Sequence, residues 1–62
     1  RWLENIALRD AMSKLSERER GIIEMRFYQN KTQMEIAESI GISQAQVSRL
    51  EKGALGKMRE YL

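Results

Sequence analysis

Four residues of the segment 44–52, Ala45, Ser48, Arg49 and Lys52, fall on one side of a helix at about 100° per residue, while Val47 and Leu50 fall on roughly the opposite side. A guanidinium, an amine, a hydroxyl and a methyl presented together are groups that can meet phosphates and base edges, whereas the Val47 and Leu50 side must pack. One face is held and the other is free to read.

Such a face needs a helix in front of it and a tight turn between the two. Two helices that cross steeply through a short turn leave little space where their backbones approach. Ala37 is small where they meet. Gly41 can take the left-handed conformation that ends a helix, and Ile42 then turns inward to anchor the connection. Ser43 is a good N-cap for the second helix. Thr32 and Glu35 form the Thr-x-x-Glu capping box of the first helix, whose Ile36 and Ile40 lie one turn apart for the core. Residues 32–51 therefore predict a helix-turn-helix. Ala, Gly and Ile at these offsets also occur in helical hairpins that bind nothing; DNA reading is the preferred of the two readings.

The rest of the chain must hold this motif. With no Pro and four Gly among 62 residues, it predicts an all-α domain of four helices, at residues 2–14, 17–28, 33–40 and 44–61. Ser16 caps the second helix, Glu17 and Glu19 suit its first turn, and Ile22, Ile23, Met25 and Phe27 supply apolar bulk. Asn30 and Lys31 connect it to Thr32. The last helix continues its apolar stripe through Val47, Leu50, Ala54, Met58 and Tyr61, so its rear half is expected to close the bundle. Helix 1 is two-sided: Leu8, Met12 and Leu15 form one stripe, and Trp2, Leu3 and Ile6 project from nearly the opposite side. A bundle this small cannot hide both: either helix 1 is sandwiched at its N-terminal end or Trp2, Leu3 and Ile6 meet a partner, for which a neighbouring domain would serve equally well, and the partner surface is the preferred reading.

Composition narrows the function further. A chain of 62 residues is one small domain near the lower limit for a self-sufficient core. The absence of Cys and His removes disulfides, thiolate metal sites and the commonest general base. No catalysis, metal or cofactor is expected. No apolar run could span a bilayer and no signal-peptide pattern is present, which suggests a cytoplasmic protein without membrane contact. The start at Arg1 rather than Met suggests a piece of a longer protein. The charge balance is slight, with 11 basic and 9 acidic residues. Phosphate neutralisation supplies most sequence-independent affinity for DNA, so the isolated domain should bind it weakly.

Three segments, LSERERGIIEMRF at 15–27, the helix-turn-helix at 32–51 and EKGALGKMR at 51–59, together resemble region 4 of bacterial sigma factors of the sigma-70 family. The likeness covers about residues 8–60. SQAQVSRLEK at 43–52 is especially similar to the sporulation type, above all the late forespore one. The resemblance implies a domain that places RNA polymerase at a promoter by setting its recognition helix in the major groove of the minus-35 element, and that docks on the polymerase β-flap through an apolar surface. It implies base reading by Gln44, Ala45 and Arg49, and backbone contacts from Arg18, Arg26, Thr32, Gln33, Gln46 and Ser48, to which the outward face adds Lys52. The chemistry suits the positions: Arg pairs bidentately with guanine, Gln with adenine, and an Ala methyl touches thymine. For Arg18 and Arg26 a solvated or salt-bridged surface role is the competing reading. Phe27 and Tyr28 join Trp2, Leu3 and Ile6 as candidate partner-binding residues.

Ala45 and Ser48 replace a Glu and an Arg common in housekeeping members, so promoter preference should differ from theirs. Gly53 and Gly56 stand where basic residues are frequent, and the rear of the last helix is expected to fray or bend there. The helix-turn-helix alone also suits a response regulator or repressor, which would dimerise on paired half-sites, whereas region 4 should be monomeric when isolated. A third reading is a region 4 module held by an anti-sigma factor.

Overall fold

Among the described residues, three of the four helices start at the same local device. Ser16, Thr32 and Ser43 each have extended backbone, and each accepts through its side-chain oxygen from the N–H three residues on, while Glu19, Glu35 and Gln46 accept in return from the cap N–H. Each box satisfies two backbone donors that a helix start leaves unpaired. The structure, a computed structural model, describes residues 6–61. It contains α1 (Ile6–Ser13), α2 (Glu17–Phe27), α3 (Gln33–Ile40) and α4 (Gln44–Arg59), with no strand among the described residues. The fold is all-α, and α3 and α4 form a helix-turn-helix.

The helix ends are equally local in origin. Beyond α1, Lys14 and Leu15 donate to the carbonyls of Ala11 and Met12 at 3.1 Å each. The Arg20 guanidinium donates to the Met12 and Leu15 carbonyls at 3.4 and 3.2 Å, closing that end from α2. After α2, Asn30 adopts a φ of 55° and lets the Lys31 N–H turn back to the Met25 carbonyl at 3.0 Å; Asn tolerates this left-handed region. After α3, Gly41 sits at φ 75° and both it and Ile42 donate to the Ala37 carbonyl, the bond pattern expected of a left-handed glycine terminus.

Two apolar clusters lie along the two halves of α4. Ile22, Ile36, Ala37 and Val47 form the first, with Met25, Ile40, Ile42 and Leu50 packed against it. Ala11, Met12, Leu15, Ile23, Ala54 and Met58 form the second, with Leu8 and Leu55 packed against it. Adjacent residues of α2, Ile22 and Ile23, point into different clusters because neighbours on a helix diverge by about 100°. The front half of α4 is thus supported by α2 and α3, and the rear half by α1 and α2. Lys57 and Glu19 add a polar link between α4 and α2, with the amine 3.0 Å from the carboxylate.

Several expectations need correction. Helix 4 ends at Arg59 rather than residue 61, because Glu60 and Tyr61 donate to the carbonyls of Lys57 and Met58 in a tightened last turn. Tyr61 consequently leaves the buried stripe: it is 45% exposed, and the Lys14 amine lies 5.9 Å from its ring centroid. Helix α2 ends at Phe27, with Tyr28 as its C-cap, and α1 ends at Ser13. The expected start of helix 1 at residue 2, and the placement of Trp2 and Leu3, lie outside the described residues. No break occurs at Gly53 or Gly56, since α4 runs unbroken through both while Ala54 and Met58 are buried beside them. Packing of the rear half outweighs the weak helix preference of glycine.

Candidate nucleic-acid interface

Val47 is fully buried under the front of α4, which fixes the rotation of the helix about its axis. Ala45, Arg49 and Lys52 are therefore exposed along one crest, with Ser48 half-buried beside them. Among the described residues, Arg18, Arg49 and Lys52 make no ion pair. An anion approaching this crest meets cationic groups that no internal carboxylate neutralises.

The crest has two unlike flanks. On one, Arg18 from α2 joins Gln46, Arg49 and Leu50 around a shallow depression of about 310 Å³. The Gln46 carbonyl accepts from the Ser43 N–H and hydroxyl at 3.1 and 3.3 Å, so its capping role holds the side chain at this edge. On the other flank stands a run of side chains from three helices. The Gln44 amide donates to the Gln33 carbonyl oxygen at 3.3 Å, and the Gln33 amide donates to Glu51 Oε1 at 3.1 Å. The same oxygen accepts from Arg26 Nε at 3.3 Å, and Arg26 Nη1 donates to the Lys31 carbonyl at 3.5 Å. Thr32, beside Gln33, is engaged in its capping box: its N–H donates to Glu35 at 2.8 Å and its hydroxyl oxygen accepts from the Glu35 N–H at 3.1 Å.

The structure therefore brings Arg18, Gln46 and Arg49 together on one edge and Gln33, Gln44 and Arg26 together on the other, with Ala45, Ser48 and Lys52 between. Arg26 is salt-bridged to Glu51 rather than fully solvated, its side chain 39% exposed. Glu51, whose side chain is only 12% exposed, was not singled out by sequence reasoning. A signal existed: at helical spacing it borders the Val47 stripe, and a carboxylate at such a half-hidden position needs partners. Gln46 and Glu19 likewise stand three residues after a serine, the spacing that identified the Thr32 box.

Of the candidate partner-binding residues, Ile6, Phe27 and Tyr28 are exposed, and Trp2 and Leu3 lie outside the described residues. Phe27, half exposed, lines an apolar cavity of about 350 Å³ with Ile23, Leu55 and Met58. Ile6 is 74% exposed and does not line that cavity. Tyr28 is 42% exposed, and desolvation followed by the nearby Glu24 carboxylate holds its phenol above the ordinary tyrosine range. Among the described residues, no helix is long and apolar enough to cross a membrane.

Comparison with known proteins agrees with this geometry. The chain matches the family "Sigma-70, region 4" over residues 11–60. It is 61% identical over 61 residues to the RNA polymerase sigma-G factor of Clostridium acetobutylicum, covering 98% of this chain and 24% of that protein. To the RNA polymerase sigma-G factor of Bacillus subtilis it is 57% identical, with the same coverage. To the RNA polymerase sigma-F factor of Bacillus subtilis it is 51% identical over 59 residues, covering 95% of this chain and 23% of that protein. These are sporulation sigma factors, the type that residues 43–52 resemble. The chain spans about a quarter of the length of these curated relatives. No solved structure matches it. A fully matched helix-turn-helix on a four-helix scaffold, with relatives that are sigma factors over nearly the whole chain, shows that this chain belongs to the region 4 family of sigma-70 factors.

Proposed function

We propose that this chain is the region 4 domain of a longer sigma factor, and that it recognises the minus-35 promoter element while docked on core RNA polymerase. The observation that carries this reading is the crest of α4, where Ala45, Arg49 and Lys52 are exposed over a fully buried Val47 and Arg18 flanks them from α2. In the major groove, Arg49 suits a guanine edge, Gln44 an adenine edge and Ala45 a thymine methyl. Arg18, Thr32, Gln33, Gln46, Ser48 and Lys52 border these residues and suit the flanking phosphates. Arg26 serves the fold before it serves DNA. With Nε and Nη1 already bonded inside the protein, it holds α4 against α2 and has Nη2 left for a phosphate.

Docking on the polymerase is supported by the apolar cavity at Phe27, Ile23, Leu55 and Met58 and by the exposed Ile6. The β-flap is the partner we infer for this surface, and an anti-sigma factor would compete for it. The module itself is a binder without catalytic chemistry or cofactor, monomeric when isolated, and it works in the cytoplasm where polymerase does. A slight net charge of +2 makes the polymerase necessary for tight promoter binding. The test is footprinting of the full-length protein with core polymerase on duplexes carrying a randomised upstream element. Protection of that element with a selected consensus supports the reading. Promoter binding that ignores the upstream sequence contradicts it.

A further inference from the structure

The geometry points to Gln33 and Glu51 as positioning residues: we propose that they fix the amide of Gln44 in the orientation that selects adenine. The inference rests on the reading of α4 as a base-reading helix and deepens it at one position.

A carboxylate can only accept hydrogen bonds, and an amide carries a donor end and an acceptor end. Glu51 is anchored by Arg26 at 3.3 Å and its side chain is 12% exposed. Gln33 must therefore turn its NH2 toward Glu51, as it does at 3.1 Å, and its carbonyl oxygen faces away. That oxygen accepts from the Gln44 NH2 at 3.3 Å. Polarity is thus handed from a group that cannot flip, through Gln33, to Gln44. The terminal torsion of an isolated exposed glutamine is broad, so it can exchange its two ends. Here that freedom is removed before any ligand arrives.

The consequence is a defined reading edge. Gln44 uses one of its two N–H groups on Gln33, and the second N–H and the carbonyl oxygen remain. Adenine presents in the major groove one acceptor, N7, beside one donor, the N6 amine; guanine presents two acceptors, N7 and O6. The remaining donor and acceptor of Gln44 complement adenine and leave a carbonyl opposed to a carbonyl at guanine. Ordering the side chain in the free protein also lowers the entropy lost on binding.

The test uses the full-length protein with core polymerase and selection from duplexes randomised over the upstream element, with circular dichroism to verify that each variant is folded. Gln44→Ala should abolish an adenine preference at one base pair and so locate it. Gln33→Leu should lower the preference at that same pair by about five-fold or more and leave the base preference at other pairs unchanged, any lost phosphate contact weakening all duplexes alike. The double variant Q33E/E51Q keeps an acceptor against Gln44 and a donor behind it, so it should restore the preference to within about two-fold of wild type. A folded Gln33→Leu variant with wild-type adenine preference overturns the relay, as does a loss of base preference at every pair or a preferred base other than adenine. If instead Gln44→Ala changes no preference at all, the base-reading role of Gln44 itself has failed.

Discussion

The Lys57 amine lies 3.0 Å from the Glu19 carboxylate, and that same carboxylate closes the capping box at the start of α2. Glu19 is therefore both a helix cap and the anchor for the rear of α4. The Ser16 N–H first, and then the Lys57 amine, hold its carboxyl below the ordinary glutamate range, against a smaller opposing effect of burial. A carboxyl whose pKa is lowered by folding stabilises the fold above its unfolded value, about 4.3, and loses that contribution as pH falls through the lowered value. Gln at this position can still cap but carries no charge. Glu19→Gln should cost about 1 kcal/mol at neutral pH, discounted for the exposed Lys57 partner. Thermal melts as a function of pH should show the difference from wild type disappearing in acid.

Glycine substitutions separate backbone need from neutral choice. At Gly56 a Cβ would meet nothing within 4 Å, and at Gly53 only Glu19 Oε2 at 4.0 Å. Gly53→Ala and Gly56→Ala should each raise stability by about 0.5–1 kcal/mol. Gly41→Ala should instead cost about 1–2 kcal/mol, because its φ of 75° is left-handed. Denaturant titration of the three variants checks both signs.

The two candidate phosphate-binding arginines of α2 should behave differently. Arg18 makes no ion pair among the described residues, so Arg18→Gln should lower the salt slope of polymerase-dependent promoter binding by about one unit and leave stability within about 0.5 kcal/mol of wild type. Arg26→Gln removes the partner of the half-hidden Glu51 and should destabilise the fold by about 1 kcal/mol or more. Salt titrations and melts of both variants distinguish a phosphate contact from an internal brace.

Partner docking is testable where the side chains are accessible. Ile6→Asp should leave the helical signal and melting temperature unchanged, because Ile6 is 74% exposed, while Phe27→Asp introduces a carboxylate beside the apolar cavity. Either change should weaken capture by core polymerase if its surface is covered there, since the new charge would be desolvated. A pull-down with wild-type yield from both folded variants would place docking elsewhere.

Much of this arrangement was legible because its causes are local. The Thr32 box, Gly41 and the Val47 stripe are set by offsets of three or four residues, and they define the motif and its outward face. What remained hidden depends on long-range neighbours. Glu51 meets Arg26 and Gln33, which are 25 and 18 residues away in the chain. Lys57 meets Glu19 across 38. Tyr61 departs from the expected stripe because helical spacing says nothing of where the last turn tightens, and α4 passes unbroken through its glycines because the packing of Ala54 and Met58 outweighs propensity. The base-reading roles proposed for Gln44, Ala45 and Arg49 rest on the family resemblance, to which the structure adds their placement on one helix, α4.

The most direct test of DNA reading by α4 is the base preference of Arg49→Ala, measured with the full-length protein and core polymerase on a duplex library randomised over the upstream promoter element. The exposed position of Arg49 on the crest of α4 predicts a loss of about 1–3 kcal/mol confined to one base pair, with relaxed preference there and unchanged preference elsewhere. Equal weakening on all duplexes would reassign Arg49 to the phosphate backbone, and an unchanged profile would contradict the claim that this face of α4 reads DNA.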